Sequence, residues 1–381
     1  MPVIFVKSFF FYPIPSKIDI ILCMDKPITT NIPRLNILLL EWYEINKRDL
    51  PWRNTNNPYI IWISEIILQQ TRVDQGYGYF MRFVERFPDV KSLAEANEEE
   101  VLKLWQGLGY YSRARNLHAA AKDIMVRFDG IFPQEYNDVI SLKGIGGYTA
   151  AAIVSFAYGK GYAVVDGNVF RVLSRLFAID EAIDTCKGKK MFGLLAQQMQ
   201  DKKNPGEYNQ AIMELGALQC VPQNPNCNIC PFSEVCLAFA SGNVSNYPVK
   251  QGKIQVKNRY FNYLDIRHDN YTYLNKREKN DIWKNMYEFP LIETTEDIPL
   301  EALLKNEQFN LLFMKTESLQ IKFMSQVKHV LSHRVIYANF YQIDIACDNK
   351  WVNEDFIRIL FEDIHNYPVS RLVHKYIEEQ Y

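Results

Sequence analysis

The stretch LKGIGGYTAAAIVSFAYG, residues 142–159, runs almost directly into YAVVDGNVFRVLSRL, residues 162–176. Gly144, Gly146 and Gly147 stand between two apolar runs of helical spacing, a pattern that predicts a tight turn between two helices. Glycines there can take positive φ and let the backbone approach a ligand closely. The amides that open the second helix can then hold a phosphate without any lysine or arginine. The same turn also serves plain helix packing, so by itself it does not establish a binding role. Asp166, just before the apolar run 168–178, reads as a helix N-cap.

Working outward, apolar residues recur at helical spacing in 34–47, 58–71, 110–128, 148–159, 168–178 and 207–219. Pro51, Pro58, Pro88, Pro133 and Pro205 stand near helix starts, and Gly130 and Gly159 near ends. After about Gly242 the text turns polar and basic (NVSNYPVKQGKIQVKNR), and beyond it YFNYLDI and VIYANFYQIDI alternate as strands do. The expected organisation is an N-terminal extension without fixed structure (1–33), a helical domain (34–242), a linker (243–258) and a smaller α/β domain (259–381). At 381 residues the chain exceeds what one core usually serves, and 48% hydrophobic residues suffice for two.

A formal net charge of −1 gives no global basic field, so any nucleic-acid contact must be local. The apolar first two dozen residues are broken by Pro13 and Pro15 and offer no cleavage site, so neither a signal peptide nor a membrane span is expected. Met24 leaves open a translation start downstream of Met1. Of seven cysteines, Cys23, Cys186 and Cys347 are scattered, while Cys220, Cys227, Cys230 and Cys236 follow the spacing C-x6-C-x2-C-x5-C. Four thiols in one short loop, stiffened by Pro222, Pro225 and Pro231, point to metal ligation in a reducing cytoplasm, and the spacing allows either zinc or an iron-sulfur cluster. A closed set of four thiolates has no open coordination position, which suits a structural or docking role.

In PYIIWISEIILQQTR, residues 58–72, nearly every side chain from Tyr59 to Leu68 is apolar all round the helix, and apart from the small Ser64, Glu65 is the exception. A carboxyl held among such neighbours tends to keep its proton near neutrality, the property of a general acid. Pairing with an unseen arginine or lysine at a domain edge is the alternative.

SEIILQQT closely resembles the corresponding stretch of the MutY family of adenine DNA glycosylases. LPW (50–52), GLGYYSRARNL (107–117), the hairpin, V-D-G-N-V and the four cysteines follow in the family's order, over about residues 34–240. The resemblance implies a mainly α fold: a two-lobed helical helix-hairpin-helix glycosylase domain with an iron-sulfur loop at 220–236, then a smaller α/β Nudix-like domain. It implies a 4Fe-4S cluster on Cys220, Cys227, Cys230 and Cys236. Glu65 would protonate N7 of an extruded adenine and Asp166 would stabilise the charge left on the sugar, electrostatically or as a transient covalent partner, with Tyr148 and Asn168 in support. Arg53, Gln70, Leu108, Tyr110, Gly144 and Gly146 would contact DNA or its bases, although Leu108 could equally be packing. The partner implied is double-stranded DNA carrying adenine opposite 8-oxoguanine or guanine, bound by a cytoplasmic monomer.

In related glycosylase-lyases a hairpin lysine attacks the sugar, whereas the matching position here is Tyr148 and Lys143 lies about a turn away. Little strand cleavage is therefore expected. A lyase acting on oxidised pyrimidines, or a DNA-binding protein without catalysis, would share the hairpin and cysteines but need not carry both carboxylates.

Residues 275–293 (NKREKNDIWKNMYEFPLIE) resemble the Nudix-like domain that follows in this family, without the REXXEE metal helix, so binding without hydrolysis is implied. HVLSHRV, residues 329–335, resembles the family loop that recognises 8-oxoguanine. Ser332 and His333 match it, while Leu331 stands where an aromatic residue is common. A serine and histidine satisfied on a strand turn would look the same in sequence.

Overall fold

The computed structural model describes residues 32–252, 256–314, 316, 318–346 and 356–381. Of the expected N-terminal extension only Ile32 and Pro33 fall among these, and they open helix α1 (Ile32–Asn46); residues 1–31 lie outside the described residues. Helices α2 (Pro58–Leu68), α3 (Val73–Arg86), α4 (Val90–Glu95), α5 (Glu98–Leu104), α6 (Ser112–Arg127), α7 (Tyr136–Ser141) and α8 (Gly147–Tyr158) follow. Then come α9 (Gly167–Leu176), α10 (Cys186–Met199), α11 (Pro205–Leu218) and the short α12 (Leu237–Ala240). Among the described residues no helix is long and apolar enough to cross a membrane.

The chain forms two compact units, and neither follows the helix-to-strand boundary. One comprises the described residues up to Asp49 together with Gly159–Gln251. In it Leu35, Leu39 and Tyr43 of α1 are buried, and α1 packs against α11. Tyr43 donates to Gln210 Oε1 at 2.9 Å. Arg48 closes a fork on Glu214, with Nε to Oε1 at 2.8 Å and Nη2 to Oε2 at 2.6 Å. Most of the expected linker belongs here too, since Ile183 N donates to Val249 O and Gln251 N to Asp184.

The second unit comprises Leu50–Tyr158 and Gly252–Tyr381. Its C-terminal part is a seven-stranded mixed sheet: β1 (Lys257–His268), β2 (Tyr271–Lys276), β3 (Tyr287–Glu288), β4 (Leu291–Thr294), β5 (Leu319–Val330), β6 (Arg334–Ile345) and β7 (Ile357–Leu360). The order is β3-β2-β1-β6-β5, with β4 paired to β1 and β7 to β2. The two segments that alternate most clearly in sequence, YFNYLDI and VIYANFYQIDI, become β1 and β6 and run parallel at the centre, from Lys257 opposite Arg334 to Arg267 opposite Asp344. One face packs on α15 (Arg371–Gln380), where the Tyr376 ring stacks on Phe340 with centroids 4.3 Å apart. The other buries Leu264, Ile266 and Ile343 with Leu303, Phe309 and Phe313 of helices α13 (Leu300–Leu303) and α14 (Glu307–Phe313).

The helices at 50–158 join this sheet because they share its core: Trp62, Trp105 and Leu117 belong to the same buried cluster as Phe261, Phe289 and Phe340. Polar contacts fasten the join. Glu99 Oε1 accepts from Tyr287 Oη at 2.6 Å and from Lys276 Nζ at 2.7 Å, and Arg115 donates to Lys284 O at 2.9 Å. The division expected from sequence, 34–242 against 259–381, follows secondary-structure type. The compact units follow burial, which groups the middle helices with the strands.

Candidate active site and cysteine loop

Helix α2 starts where Asn57 accepts from Tyr59 N at 2.9 Å and Pro58 needs no donor partner. Its residues Ile61 to Ile67 are all buried, including Glu65, which is 9% exposed. Tyr148, in the first turn of α8, donates its hydroxyl to Glu65 Oε2 at 2.8 Å. One residue on, buried Thr149 accepts from Gln69 Nε2 at 3.2 Å. The hairpin helix thus touches the glutamate helix and its C-cap. Sequence reading singled out Tyr148 but passed over Gln69, although it lies inside the quoted motif.

In the turn before α8 only Gly144 takes positive φ (+82°), whereas Gly146 and Gly147 do not. Of the three glycines that can take positive φ, one uses that freedom. A Cβ at Gly144 would also come within 2.6 Å of Asn116 Cβ, so close packing explains this glycine as well as its backbone does. Lys143, Gly144, Gly146 and Gly147 are exposed, as a phosphate-binding turn requires.

Gln70 and Tyr110 are both exposed, and both hold positive φ, +58° and +48°. Such values are uncommon for side-chain-bearing residues and mark constrained positions. Leu108 is instead 7% exposed and part of the core, so packing is what the structure gives it. Arg53 ends the short 3-10 turn Pro51–Arg53 and is half-buried.

Ser332 and His333 form the exposed tip of the turn between β5 and β6, closed by Leu331 N donating to Arg334 O at 2.8 Å. Leu331 turns inward against the core. The Ser332 hydroxyl makes a hydrogen bond with the Tyr110 hydroxyl.

Asp166 lies in the other unit. It caps α9, accepting from Val169 N at 2.8 Å, and its second oxygen accepts from Asn168 Nδ2 at 2.8 Å. Burial raises its carboxyl above the ordinary range, against the opposing pull of those two hydrogen bonds. Asn168 in turn accepts from Arg171 Nη2 at 2.8 Å, and Arg171 reaches Cys220 O at 2.7 Å and Gly216 O at 2.6 Å. A continuous chain of hydrogen bonds therefore runs from the carboxylate to the cysteine loop.

That loop is tied down by a second arginine. Arg175 donates to Val221 O at 2.8 Å, Pro222 O at 3.0 Å and Val244 O at 3.1 Å. Cys220, Cys227, Cys230 and Cys236 are free thiols. Burial pushes Cys230 up to about 12, and the neighbouring Cys220, Cys236 and Cys227 add to the rise. Thiols that raise one another in this way favour a shared cation, so the chemistry of the donor set fits a metal centre. Among the described residues, however, no three His, Cys, Asp or Glu side chains converge closely enough to hold an ion.

Residues 63–201 match the family described as HhH-GPD superfamily base excision DNA repair protein, and residues 262–379 match the NUDIX domain. The adenine DNA glycosylase of Buchnera aphidicola subsp. Baizongia pistaciae is 36% identical over 304 residues, 79% of this chain and 83% of that protein. The chain belongs to the adenine DNA glycosylase family. A second member, from Buchnera aphidicola subsp. Acyrthosiphon pisum, is 35% identical over 85% of this chain and 90% of its own. The human adenine DNA glycosylase is 42% identical over 229 residues, 55% of this chain and 42% of that protein. Among solved structures, a thermostable thymine-DNA glycosylase is 26% identical with a TM-score of 0.51, covering 55% of this chain and 97% of its own. As a member of the adenine DNA glycosylase family the chain is a DNA N-glycosylase of base excision repair, a helical helix-hairpin-helix fold followed by a Nudix-like domain.

Proposed function

We propose that this chain, as a monomer in the cytoplasm, excises adenine mispaired with 8-oxoguanine or guanine in double-stranded DNA and does not itself cut the strand. The observation that carries the reading is the 2.8 Å hydrogen bond from Tyr148 to buried Glu65. A tyrosine occupies the hairpin position from which a lysine would attack the sugar, and it serves the acid instead of replacing it as nucleophile.

In this mechanism the target adenine leaves the base stack, and Gln70 and Tyr110 fill the gap. Glu65 gives its proton to N7. The glycosidic electron pair departs with the base, and the deoxyribose becomes an oxocarbenium-like cation. The Asp166 carboxylate stabilises that cation electrostatically, with Asn168 holding it in place. Water then adds to C1′ and loses a proton to Glu65, leaving an abasic site. Exposed Gly144 and Gly146, with Arg53, serve the phosphate backbone, and Ser332 and His333 the edge of the opposite base.

Cys220, Cys227, Cys230 and Cys236 would hold a 4Fe-4S cluster, which supplies cross-linking of the loop when bound. A brown protein with broad visible absorption supports this assignment, and a colourless zinc protein refutes it.

The test is a duplex with adenine opposite 8-oxoguanine, with and without alkali after incubation. Strand breaks should appear only after alkali, and Glu65→Gln should produce none. Breaks without alkali would instead favour a lyase.

A further inference from the structure

Arg113, in the first turn of α6, is 9% exposed and forms no ion pair with any carboxylate among the described residues. Its two terminal nitrogens are instead spent on backbone carbonyls, while the buried Nε has no hydrogen-bond partner. Nη1 donates to Ile66 O at 2.8 Å and Ile67 O at 3.0 Å, and also to Gln69 O. Nη2 donates to Gly109 O at 3.1 Å and, more weakly, to Leu108 O at 3.5 Å. The planar group lies 5.3 Å from the Trp105 ring centroid and 5.7 Å from that of Tyr110. Burial pulls it down to about 10, so it is held against a desolvation cost.

On one side Arg113 reaches Ile66 and Ile67 in the last turn of α2, the turn that contains Glu65 and whose carbonyls have no later turn to pair with, and Gln69, the C-cap that follows. A cation there also meets the negative end of the helix dipole. Directly beyond stands Gln70 in its positive-φ conformation, and directly beyond Gly109 stands Tyr110 in the same region. Two segments with unusual backbone, both exposed, thus hang from one buried fork.

We propose that Arg113 is a positioning residue whose fork holds the Gln70 and Tyr110 segments in one fixed relation to the helix bearing Glu65, so that extrusion of adenine is coupled to protonation. This rests on the functional reading above, in which those two residues fill the gap. Lysine keeps the charge but offers a compact ammonium in place of a planar fork, so it cannot span both sets of carbonyls. Misplacement on the scale of an ångström costs up to about 100-fold in rate.

The test uses the full chain and its Arg113→Lys variant. Single-turnover excision is measured at saturating enzyme. Extrusion is read from the fluorescence of 2-aminopurine at the target position, in a Glu65→Gln background so that the base stays attached. The proposal expects Arg113→Lys to slow excision about 10- to 100-fold per folded molecule. The fluorescence rise should shrink with it, while the pH profile of excision keeps its shape. Excision equal to that of the parent chain, whatever the melting temperature, overturns it, as does slow excision with an undiminished fluorescence rise. Should the lysine variant not fold, Arg113→Gln, which keeps a short amide donor, is judged by the same two readouts. If that variant unfolds too, the role is structural and the proposal is wrong. Failure of the parent chain to excise adenine at all would instead sink the functional reading, and this inference with it.

Discussion

The hydroxyls of Tyr110 and Ser332, 222 positions apart in the chain, make a hydrogen bond with each other. One belongs to the loop proposed to fill the gap left by adenine, the other to the turn proposed to read the base opposite. Removing either hydroxyl should therefore disturb both tasks. Tyr110→Phe and Ser332→Ala should each reduce the preference for 8-oxoguanine over guanine opposite adenine. In the double variant the two losses should fall short of additive, with a coupling of roughly 0.5–1 kcal/mol in duplex affinity. Strict additivity would mean that the pair acts as two separate contacts.

Tyr148→Phe keeps the ring and deletes the donor to Glu65. A net hydrogen bond of about 1 kcal/mol corresponds to roughly a fivefold change in rate, larger when the acceptor is charged. Single-turnover excision should fall about 5- to 30-fold on that basis, with duplex affinity little changed. A rate equal to that of the parent would remove Tyr148 from the chemistry. A loss confined to affinity would make it a binding residue.

Asp166 contributes a stability dependence of predictable sign. Its folded carboxyl is raised by burial above the unfolded value, so the native state binds the proton more tightly. The resulting stability is fully present at pH below the unfolded value and is lost as pH rises through the folded one. Asp166→Asn should abolish excision, and its stability relative to the parent should improve in urea melts as pH rises above the ordinary aspartate range. Asp166→Ala should in addition lose about 1 kcal/mol by removing the cap of α9. A stability difference between parent and Asn variant that stays flat with pH would refute the raised carboxyl.

Asp281 shows the opposite sign. Burial pushes its carboxyl up, but the Ile282 amide and the guanidiniums of Arg334 and Arg259 hold it down to about 2. Arg259 and Arg334 reach it at 2.6 and 2.7 Å, and Arg277 at 3.1 Å. Its contribution is therefore present above the ordinary aspartate range and lost as pH falls through about 2. Asp281→Asn should destabilise the C-terminal sheet at neutral pH and flatten the acid limb of its melting curve. An unchanged acid limb would mean that the three arginines find other partners without loss.

By itself the sequence determined whatever its own local pattern can encode: the apolar helix around Glu65, the Asp166 cap before α9, the glycine turn, the spacing of four cysteines and the alternation of β1 and β6. Each depends on neighbours within a turn or a strand, where periodicity and capping chemistry act directly. The tertiary structure decided what depends on partners far along the chain. It buried Leu108 while leaving Tyr110 exposed, gave positive φ to Gly144 alone of the three hairpin glycines, and joined the helices of 50–158 to the C-terminal sheet through a shared core. Arg113 shows the reason. In sequence it is one basic residue in GLGYYSRARNL, and nothing local distinguishes a solvated guanidinium from one committed to carbonyls at the end of a helix and its C-cap, 44 to 47 residues earlier. That choice belongs to burial and hydrogen-bond satisfaction, which are settled only when the segments pack.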